Sequence, residues 1–96
     1  MITRIVKMTF APDQVPQFLE NFKSVQPKIQ DFTGCNSVRL MQQEDQPNVV
    51  FTISIWNSAD DLEAYRHSDL FKNTWAKTKP KFEAKPQAWS LVEANL

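Results

Sequence analysis

The chain has 96 residues, which is enough for one domain, 1–96, but small enough that extra burial in an oligomer would help it fold. Its 11 basic residues balance 11 acidic ones, which gives no electrostatic reason to expect nucleic acid or an anionic membrane as a partner. One glycine, one cysteine and one histidine exclude a glycine-rich phosphate loop and the usual Cys/His zinc site within one chain.

The N-terminal segment, Met1–Ile5, lacks the basic region and the longer apolar stretch of a signal peptide. No apolar run approaches the roughly 20 residues that a membrane-spanning helix needs. The single cysteine, Cys35, has no partner for an intrachain disulfide, which fits a reducing compartment. We therefore expect a soluble, cytoplasmic protein with no membrane partner.

The first third of the chain predicts a strand followed by a helix. Alternation over Ile2–Phe10 indicates a strand, and one of its sides is formed by Arg4, Val6, Met8 and Phe10. Asp13 is placed to be the N-cap of the helix that follows, whose apolar residues recur at helical spacing up to Ile29. Pro27 lacks an amide hydrogen, so a kink or an early end is expected there.

Two strands joined by a hairpin are predicted for the middle of the chain. Gly34 ends a turn that begins at Asp31, and it is the natural site for a positive φ. Cys35–Gln43 alternates, with Val38 and Leu40 on one face and Arg39 and Met41 on the other. After a polar loop at 44–48, Val49–Trp56 has the strongest strand pattern, and both of its faces are substantially apolar.

The last third predicts a second helical region and a final strand. Ser58 is a candidate N-cap with Asp61 as its capping-box partner, and Ser68 is a second candidate N-cap. Tyr65 lies on the apolar face of the first of these helical segments. Gln87–Ala94 alternates again and is expected to form the last strand.

The order β-α-β-β-α-β predicts an α+β domain of the ferredoxin-like type with a four-stranded antiparallel sheet. Its helices cover one sheet face. The second face would be an exposed apolar patch, because neither face of Val49–Trp56 is polar, and monomers rarely expose such patches. We therefore expect a homodimer formed through the sheet face away from the helices.

The segment Phe51–Ser58, followed by Leu62, Tyr65 and Ser68–Phe71, resembles the strand–Trp–Ser–helix signature of antibiotic-biosynthesis-monooxygenase-like (ABM) domains. Phe32–Cys35 and Phe82–Trp89 are also similar to their counterparts, so the resemblance covers nearly the whole chain. It implies a dimeric α+β barrel with a pocket in each subunit between sheet and helices. Some family members oxygenate phenols or quinols without metal or flavin, and others degrade haem.

The resemblance also has implications for cofactors. The haem-degrading branch uses an Asn on the first strand, a Trp on the second helix and a downstream His that ligates iron. Those positions hold Val6, Tyr65 and Trp75 here, and an indole has no lone pair to offer a metal. Quinol-oxidising members often have a His where Tyr65 stands and an acid where Ser54 stands. We expect no haem turnover, no metal and no other cofactor.

Tyr65 is the predicted catalytic residue, because it is the polar group on the inward face of its helix. A phenol with an ordinary pKa near 10 suits hydrogen bonding to a substrate oxygen better than proton abstraction at neutral pH. The substrate-binding residues expected around it are Val6, Arg39, Trp56, Phe71 and Trp75. Arg39 could instead form an ion pair in a dimer interface, and the tryptophans could be ordinary core residues. His67 lies about 200° around the helix from Tyr65 and should point away.

Two functions remain open at this point. The first is a cofactor-independent monooxygenase acting on a small hydroxylated aromatic, in which the substrate anion supplies electrons to oxygen and the protein supplies a dry pocket. The alternative is a non-catalytic homodimer of the same fold that binds a small ligand or is purely structural. The lack of an obvious base favours the second, whereas the inward Tyr65 and the tryptophans favour the first.

Overall fold

A computed structural model describes all residues of the chain, Met1–Leu96, as one antiparallel sheet with helices on one face. The strands are β1 (Ile2–Thr9), β2 (Cys35–Gln43), β3 (Gln46–Trp56) and β4 (Gln87–Leu91). The helices are α1 (Val15–Gln30), α2 (Ala59–Arg66) and α3 (Asp69–Thr78). The strand order is β2-β3-β1-β4, which confirms the ferredoxin-like α+β class. None of the helices is both long enough and apolar enough to cross a membrane.

The strand register decides which side chains meet the helices, because directly paired residues point to the same sheet face. In the centre of the sheet Met8 pairs with Val50, and Arg4 pairs with Ser54. On the other side of β3, Val38 pairs with the same Ser54. These residues form the helix-facing side of the sheet. The opposite side, here called the open face, carries the alternate residues of each strand.

The tightest packing lies between α1 and the helix-facing side of the sheet. Phe10 and Phe18 are in ring contact with centroids 4.3 Å apart, and Phe18 contacts Phe22 at 6.0 Å. Burying aromatic and branched side chains in this way is the main source of stability in a small domain. The buried cluster consists of Met8, Phe10, Phe18, Phe22, Ile29, Val38 and Val50.

The open face of the sheet carries no helix and is rich in apolar side chains. Its large exposed residues are Met41, Trp89 and Leu91, at 48%, 43% and 47% exposure. The register places Ile5, Phe51, Ile53 and Ile55 among them. The sequence prediction that neither face of β3 is polar is therefore confirmed, and one of those two faces is uncovered in the single chain.

The turn before β2 depends on Gly34, whose φ is +86°. A Cβ atom built at this position would overlap the side chain of Asp61 at the start of α2. The Gly34 carbonyl also accepts a hydrogen bond from the Asn57 amide at 2.8 Å. The predicted positive φ is confirmed, and this turn fixes the beginning of α2 against the edge of the sheet.

Both helices that follow β3 begin at a serine N-cap. The Ser58 hydroxyl accepts a hydrogen bond from the Asp61 amide at 3.1 Å. The Ser68 hydroxyl accepts one from the Phe71 amide at 3.1 Å. Each cap satisfies a backbone donor that the helix leaves free, and both were predicted from the sequence.

The predicted N-cap at Asp13 is wrong. Asp13 lies inside a short 3₁₀ turn, Pro12–Gln14, and α1 begins one residue later without any side-chain cap. Of the two outcomes expected at Pro27, a kink or an early end, the early end is wrong, because α1 continues to Gln30. Pro27 removes one backbone hydrogen bond, whereas the buried apolar face of α1 stabilises the whole helix through tertiary packing.

Two strand boundaries also differ from the predictions. The third strand starts at Gln46 rather than Val49, because Gln46 already pairs with Gln43 of β2 before the register shifts to Gln42 and Val50. The last strand ends at Leu91 rather than Ala94, where the pairing with Thr3 of β1 ends. Polar residues at a hairpin and at a sheet edge give little pattern from which to read such limits.

Candidate functional site

A cavity of about 350 Å³ lies between the helix-facing side of the sheet and the helices, chiefly α2 and α3. Its volume is within the range of small-molecule binding sites, and its lining is mostly apolar. The floor comes from Val6 and Thr52 on neighbouring strands, and the roof includes Tyr65, Phe71 and Trp75. Phe18, Phe22 and Ile29 of α1 also line the cavity, so the buried cluster forms part of its wall.

An unbroken series of aromatic contacts forms the wall of this cavity. Trp56 is stacked on Tyr65 with ring centroids 4.9 Å apart and planes inclined by 28°. Tyr65 meets Phe71 edge-on at 5.3 Å, and Phe71 is stacked on Trp75 at 5.9 Å with planes inclined by 10°. Trp75 meets Phe82 edge-on at 5.4 Å. Such contacts orient the rings against each other and leave flat faces for a ligand.

Trp56 is the most firmly held member of the wall. The side chain is fully buried, and its indole Nε1 donates a hydrogen bond to the Ser54 hydroxyl at 3.0 Å. Both residues belong to the helix-facing side of β3. The hydrogen bond satisfies the one polar atom of the indole, so Trp56 supports the stacked Tyr65 ring and offers a ligand no donor.

Tyr65 brings the one phenol of the chain into the cavity. Burial, with a smaller contribution from the nearby Cys35, raises the pKa of Tyr65 to about 12. Its hydroxyl bonds to no other residue, yet no fully buried polar side-chain atom lacks a partner, so this hydroxyl has open space beside it. At neutral pH the group is therefore a neutral phenol that is free to donate a hydrogen bond to a ligand.

Two guanidinium groups also line the cavity. Arg4 donates from Nη1 to the Ser90 hydroxyl at 3.0 Å. Arg66 forms an ion pair with Glu63 at 3.2 Å, and Glu63 also bonds His67 Nε2 at 2.8 Å. Burial and then the positive charge of Arg66 lower the pKa of Arg4, so the guanidinium lies where a positive charge is unfavourable.

The cavity contains no side chain suited to act as a general base at neutral pH. Its ionisable lining consists of Arg4, Tyr65 and Arg66, all of which are protonated in that range. His67 is 72% exposed, binds Glu63 and does not line the cavity, as the helical spacing predicts. Burial raises the pKa of the Cys35 thiol, which opposes formation of a thiolate. No group of three or more His, Cys, Asp and Glu side chains could hold a metal ion.

Most of the site residues predicted from the sequence come together at this cavity. The residues concerned are Val6, Trp56, Tyr65, Phe71 and Trp75. Arg39 is the exception, because its pairing with Ile53 places it on the open face of the sheet. The assignment of Arg39 to the pocket is thus corrected: within one chain it cannot reach a ligand in this cavity.

Sequence reasoning missed several cavity residues, of which Arg4 and Arg66 are the charged ones. The alternation of β1 did contain a signal for Arg4, since it placed a charged residue on the same side as Val6 and Met8. An arginine in the middle of an inward-facing apolar row needs a partner, and that points to a site. Arg66 gave no such signal, because it resembles any charged residue at a helix end.

Comparison with known proteins gives one family and one fold. The family model of antibiotic biosynthesis monooxygenases matches residues 1–77. The structure is similar to a crystal structure of an antibiotic biosynthesis monooxygenase, with a TM-score of 0.92, 13% identity, and coverage of 99% of this chain and 100% of that one. A conserved protein from Methanosarcina mazei gives a TM-score of 0.90 at 19% identity, covering 98% and 94% of the two chains.

A similarity in sequence extends to an archaeal protein of much greater length. Over 66 residues the chain is 33% identical to a Natronomonas pharaonis protein named "Putative heme-binding protein". The match covers 69% of this chain but only 11% of the archaeal protein. It therefore relates this domain to a small part of that protein.

Proposed function

Because the chain belongs to the antibiotic biosynthesis monooxygenase family, we propose that it is a cofactor-independent monooxygenase acting on a small hydroxylated aromatic of the phenol or quinol type. The observation that carries this proposal is the aromatic cavity lined by Tyr65, whose hydroxyl has no hydrogen-bond partner in the chain. The cavity offers flat apolar faces for a ring and one neutral donor for its oxygen, which is what such a substrate requires.

The chemistry draws its electrons from the substrate. A phenol that loses its proton becomes an electron-rich anion, and this anion can reduce molecular oxygen without a metal or flavin. For a simple phenol the balance is one phenol and one O₂ giving one quinone and one water. One oxygen atom becomes the second quinone oxygen, the other leaves as water, and all four electrons come from the ring. The protein supplies position, dryness and a hydrogen bond.

Tyr65 is the catalytic residue in this proposal, and it acts as a donor rather than a base. With a pKa of about 12 it stays protonated at neutral pH. A hydrogen bond from a neutral phenol stabilises a phenolate oxygen more than the protonated phenol, and so it lowers the pKa of the bound substrate. The substrate proton passes to solvent, since the cavity provides no base of its own.

A homodimer belongs to the same proposal. The open face exposes Met41, Trp89 and Leu91 over a row of isoleucine and phenylalanine side chains. A second copy of the chain would cover this face sheet against sheet, and the buried interface should exceed about 1,000 Å². Arg39 also lies on this face, so its proposed role moves from substrate binding to the dimer interface.

Oxygen uptake by metal-free protein tests the proposed activity. A panel of quinols and naphthols is supplied to wild type, to Tyr65→Phe and to His67→Gln. We expect uptake with at least one substrate, and a several-fold loss in Tyr65→Phe, because one hydrogen bond contributes about 0.5–1.5 kcal/mol. His67→Gln is the matched control, because it removes the one imidazole of the chain, which lies outside the cavity.

The outcomes separate the assignments. Uptake that is unchanged in Tyr65→Phe would keep the enzyme but reject Tyr65 as its catalytic residue. Uptake lost in His67→Gln would show that a base outside the cavity takes part. If the panel gives neither uptake nor binding, the second candidate function remains: a non-catalytic homodimer. The absence of a base in the cavity is the observation that favours it.

Haem is a further candidate ligand, because the similar Natronomonas pharaonis protein is named as a heme-binding protein. The residues of this chain do not fit it. The cavity lining contains no His, Cys or Met nitrogen or sulfur ligand except the Met8 thioether, which lies in the buried cluster. Tyr65 could bind iron only as a phenolate, and its raised pKa opposes that form. We therefore propose no haem chemistry for this chain.

A further inference from the structure

Arg4 is the one charged side chain of the cavity that has no counter-ion. It lies partly buried in the middle of β1, between Ile2 and Val6 on the helix-facing side of the sheet. Its guanidinium donates a hydrogen bond to the neutral Ser90 hydroxyl, and no carboxylate lies within 4 Å of the guanidinium. A guanidinium has five donors, so most of its hydrogen-bonding capacity is unused inside the chain.

Arg66 adds a second positive charge close to Arg4. It lines the same cavity, and its positive charge lowers the pKa of Arg4. The only carboxylate near either group is Glu63, which is already bonded to both Arg66 and His67. The two arginines and Glu63 together carry one more positive than negative charge. Arg66 and Glu63 are 45% and 55% exposed, so water screens both of them, and Glu63 offsets only part of the effect of Arg66 on Arg4. Arg4 is the partly buried cation of the group and has no carboxylate bonded to it.

We propose that the cavity binds an aromatic acid, whose ring lies against Tyr65 and Trp75 and whose carboxylate binds Arg4, with Arg66 alongside. This deepens the proposed function, on which it rests for the claim that an aromatic ring occupies the cavity. A planar guanidinium accommodates the two oxygens of a carboxylate in parallel hydrogen bonds. One negative charge also matches the one unbalanced positive charge, whereas a doubly charged phosphate would exceed it.

Arg4 and Tyr65 would then bind two different groups of the substrate from two sides of the cavity. Arg4 belongs to the strand floor, and Tyr65 belongs to the helical roof. A ring with its carboxylate at Arg4 and its hydroxyl at Tyr65 would be held at two points. The substrate class is therefore a hydroxylated aromatic carboxylic acid rather than a simple phenol.

Calorimetric titration with a matched pair of probes tests this proposal. The probes are 2-naphthoate and its neutral counterpart 2-naphthamide, which have the same ring system and nearly the same shape. We expect wild type to bind naphthoate about tenfold or more tightly than naphthamide, as a charge-assisted bidentate contact would give. Arg4→Met keeps the unbranched apolar stem of the side chain and removes the guanidinium, so it should abolish the preference while naphthamide binding is retained.

Lys23→Met is the matched control, because it removes one exposed positive charge from α1 away from the cavity. It should leave the preference unchanged. A second measurement needs no variant: raising the salt concentration from about 0.05 M to about 0.5 M should weaken naphthoate binding and leave naphthamide binding nearly constant. That measurement decides the case if Arg4→Met fails to fold.

Equal binding of the two probes by wild type would overturn the aromatic-acid proposal and leave the aromatic cavity standing. A preference that survives in Arg4→Met would also overturn it, because the anion would then be held elsewhere. Failure of both probes to bind would reject the aromatic cavity itself, and the proposed function with it. A preference that is lost in Arg4→Met, kept in Lys23→Met and weakened by salt would support the proposal.

Discussion

The two faces of β3 are built from alternate residues of one strand, yet they have different surroundings. Val50 and Trp56, on the helix-facing side, are fully buried within the chain. Phe51, Ile53 and Ile55, on the open face, are only partly buried although they are equally apolar. The difference shows that hydrophobicity alone does not tell which face of a strand lies in the core of its own chain. One face is covered by helices, and the other requires a partner.

The helix-facing side itself contains both close packing and a cavity. The phenylalanine rings of α1 pack against Phe10 and also border the cavity, whereas the aromatic side chains of α2 and α3 form the rest of its wall. Close packing is the rule in small domains, and a cavity of this size reduces the burial available for stability. A space that is not needed for folding is best explained by a ligand.

The largest expected effect is that of a charge placed on the open face, which should weaken the dimer. Ile55 is directly paired with the uncharged Thr3 and Ser37, and Arg39 lies only diagonally from it, opposite Ile53. Burying an unpaired carboxylate costs several kcal/mol. In Ile55→Glu we expect the dimer dissociation constant to rise at least about a hundredfold, which is about 2.8 kcal/mol.

Sedimentation velocity over a concentration series measures this effect, with Ile55→Val as the control that keeps the site apolar. Ile55→Glu should remain folded, because the helix-facing side is unchanged. A wild type that is monomeric at micromolar concentration would contradict the homodimer. A dimer that persists in Ile55→Glu would move the interface away from the open face.

Two tryptophan substitutions compare how much each sheet face contributes to the free energy of unfolding. Trp75→Ala removes a partly buried ring of the cavity wall, and we expect the free energy of unfolding to fall by about 2–3 kcal/mol, below the range for fully buried rings. Trp89→Ala acts on the open face, where the ring is 43% exposed, and should cost less than about 1 kcal/mol in a monomer. Urea unfolding in an Ile55→Glu background compares the two without a dimer.

In the dimer the two tryptophan substitutions should affect two different properties. Trp89→Ala is expected to weaken self-association, and Trp75→Ala is expected to weaken binding of a naphthol instead. The comparison would fail if Trp89→Ala destabilised the monomer as much as Trp75→Ala did, because both faces would then be core.

Alkaline pH gives a measure of how far the cavity wall is buried. The pKa of Tyr65 is raised from 10.0 to about 12, so between these values the unfolded chain loses the proton while the folded chain keeps it. The unfolded state then binds fewer protons, and stability falls as the pH rises through this range. A shift of this size corresponds to about 2–3 kcal/mol, all of it retained below about pH 10.

Other groups also titrate at alkaline pH, so the comparison between wild type and Tyr65→Phe isolates the contribution of the phenol. Urea unfolding is measured at intervals from about pH 9 to about pH 12. We expect wild type to lose stability more steeply than Tyr65→Phe. Parallel curves would show that Tyr65 is well solvated and that the cavity is wider than the structure has it.

The smallest expected effect is that of haem. Equimolar haemin should produce no Soret shift with wild type, and ascorbate under air should cause no loss of the band beyond that of haemin alone. The reason is the lining of the cavity, in which Trp75 offers no lone pair and Tyr65 remains protonated. A shift at equimolar haem followed by bleaching would prove this prediction wrong.

The order of elements and the caps could be predicted because their signals are local. Ser58 and Ser68 are followed by helical patterns, and Gly34 is the one residue that tolerates its backbone angle. The limits of α1 could not be read in the same way. Asp13 has the side chain of a cap, but the chain forms a 3₁₀ turn first, and Pro27 is tolerated because packing outweighs one hydrogen bond.

The membership of the candidate site was predicted for helix residues and less well for strand residues. Tyr65 and Trp75 were found from helical spacing. Arg39 was misplaced because the sequence of a strand gives its two faces but not which one is inward. Arg4 was overlooked although the alternation of β1 put it on the same side as Val6, which was assigned to the site. On β2 the register is also irregular between Cys35 and Ser37, so counting along the chain does not carry the parity across.

The positions of the three tryptophans allow intrinsic fluorescence to report on both sheet faces. Trp56 is sealed in the interior, Trp75 borders the cavity, and Trp89 lies on the opposite side of the sheet. An indole in an apolar setting emits at shorter wavelength than one in water, so the longest-wavelength emission belongs to Trp89. Self-association should shift that component to shorter wavelength, whereas an aromatic guest should quench Trp56 and Trp75. One unlabelled emission spectrum can thus distinguish assembly from occupancy.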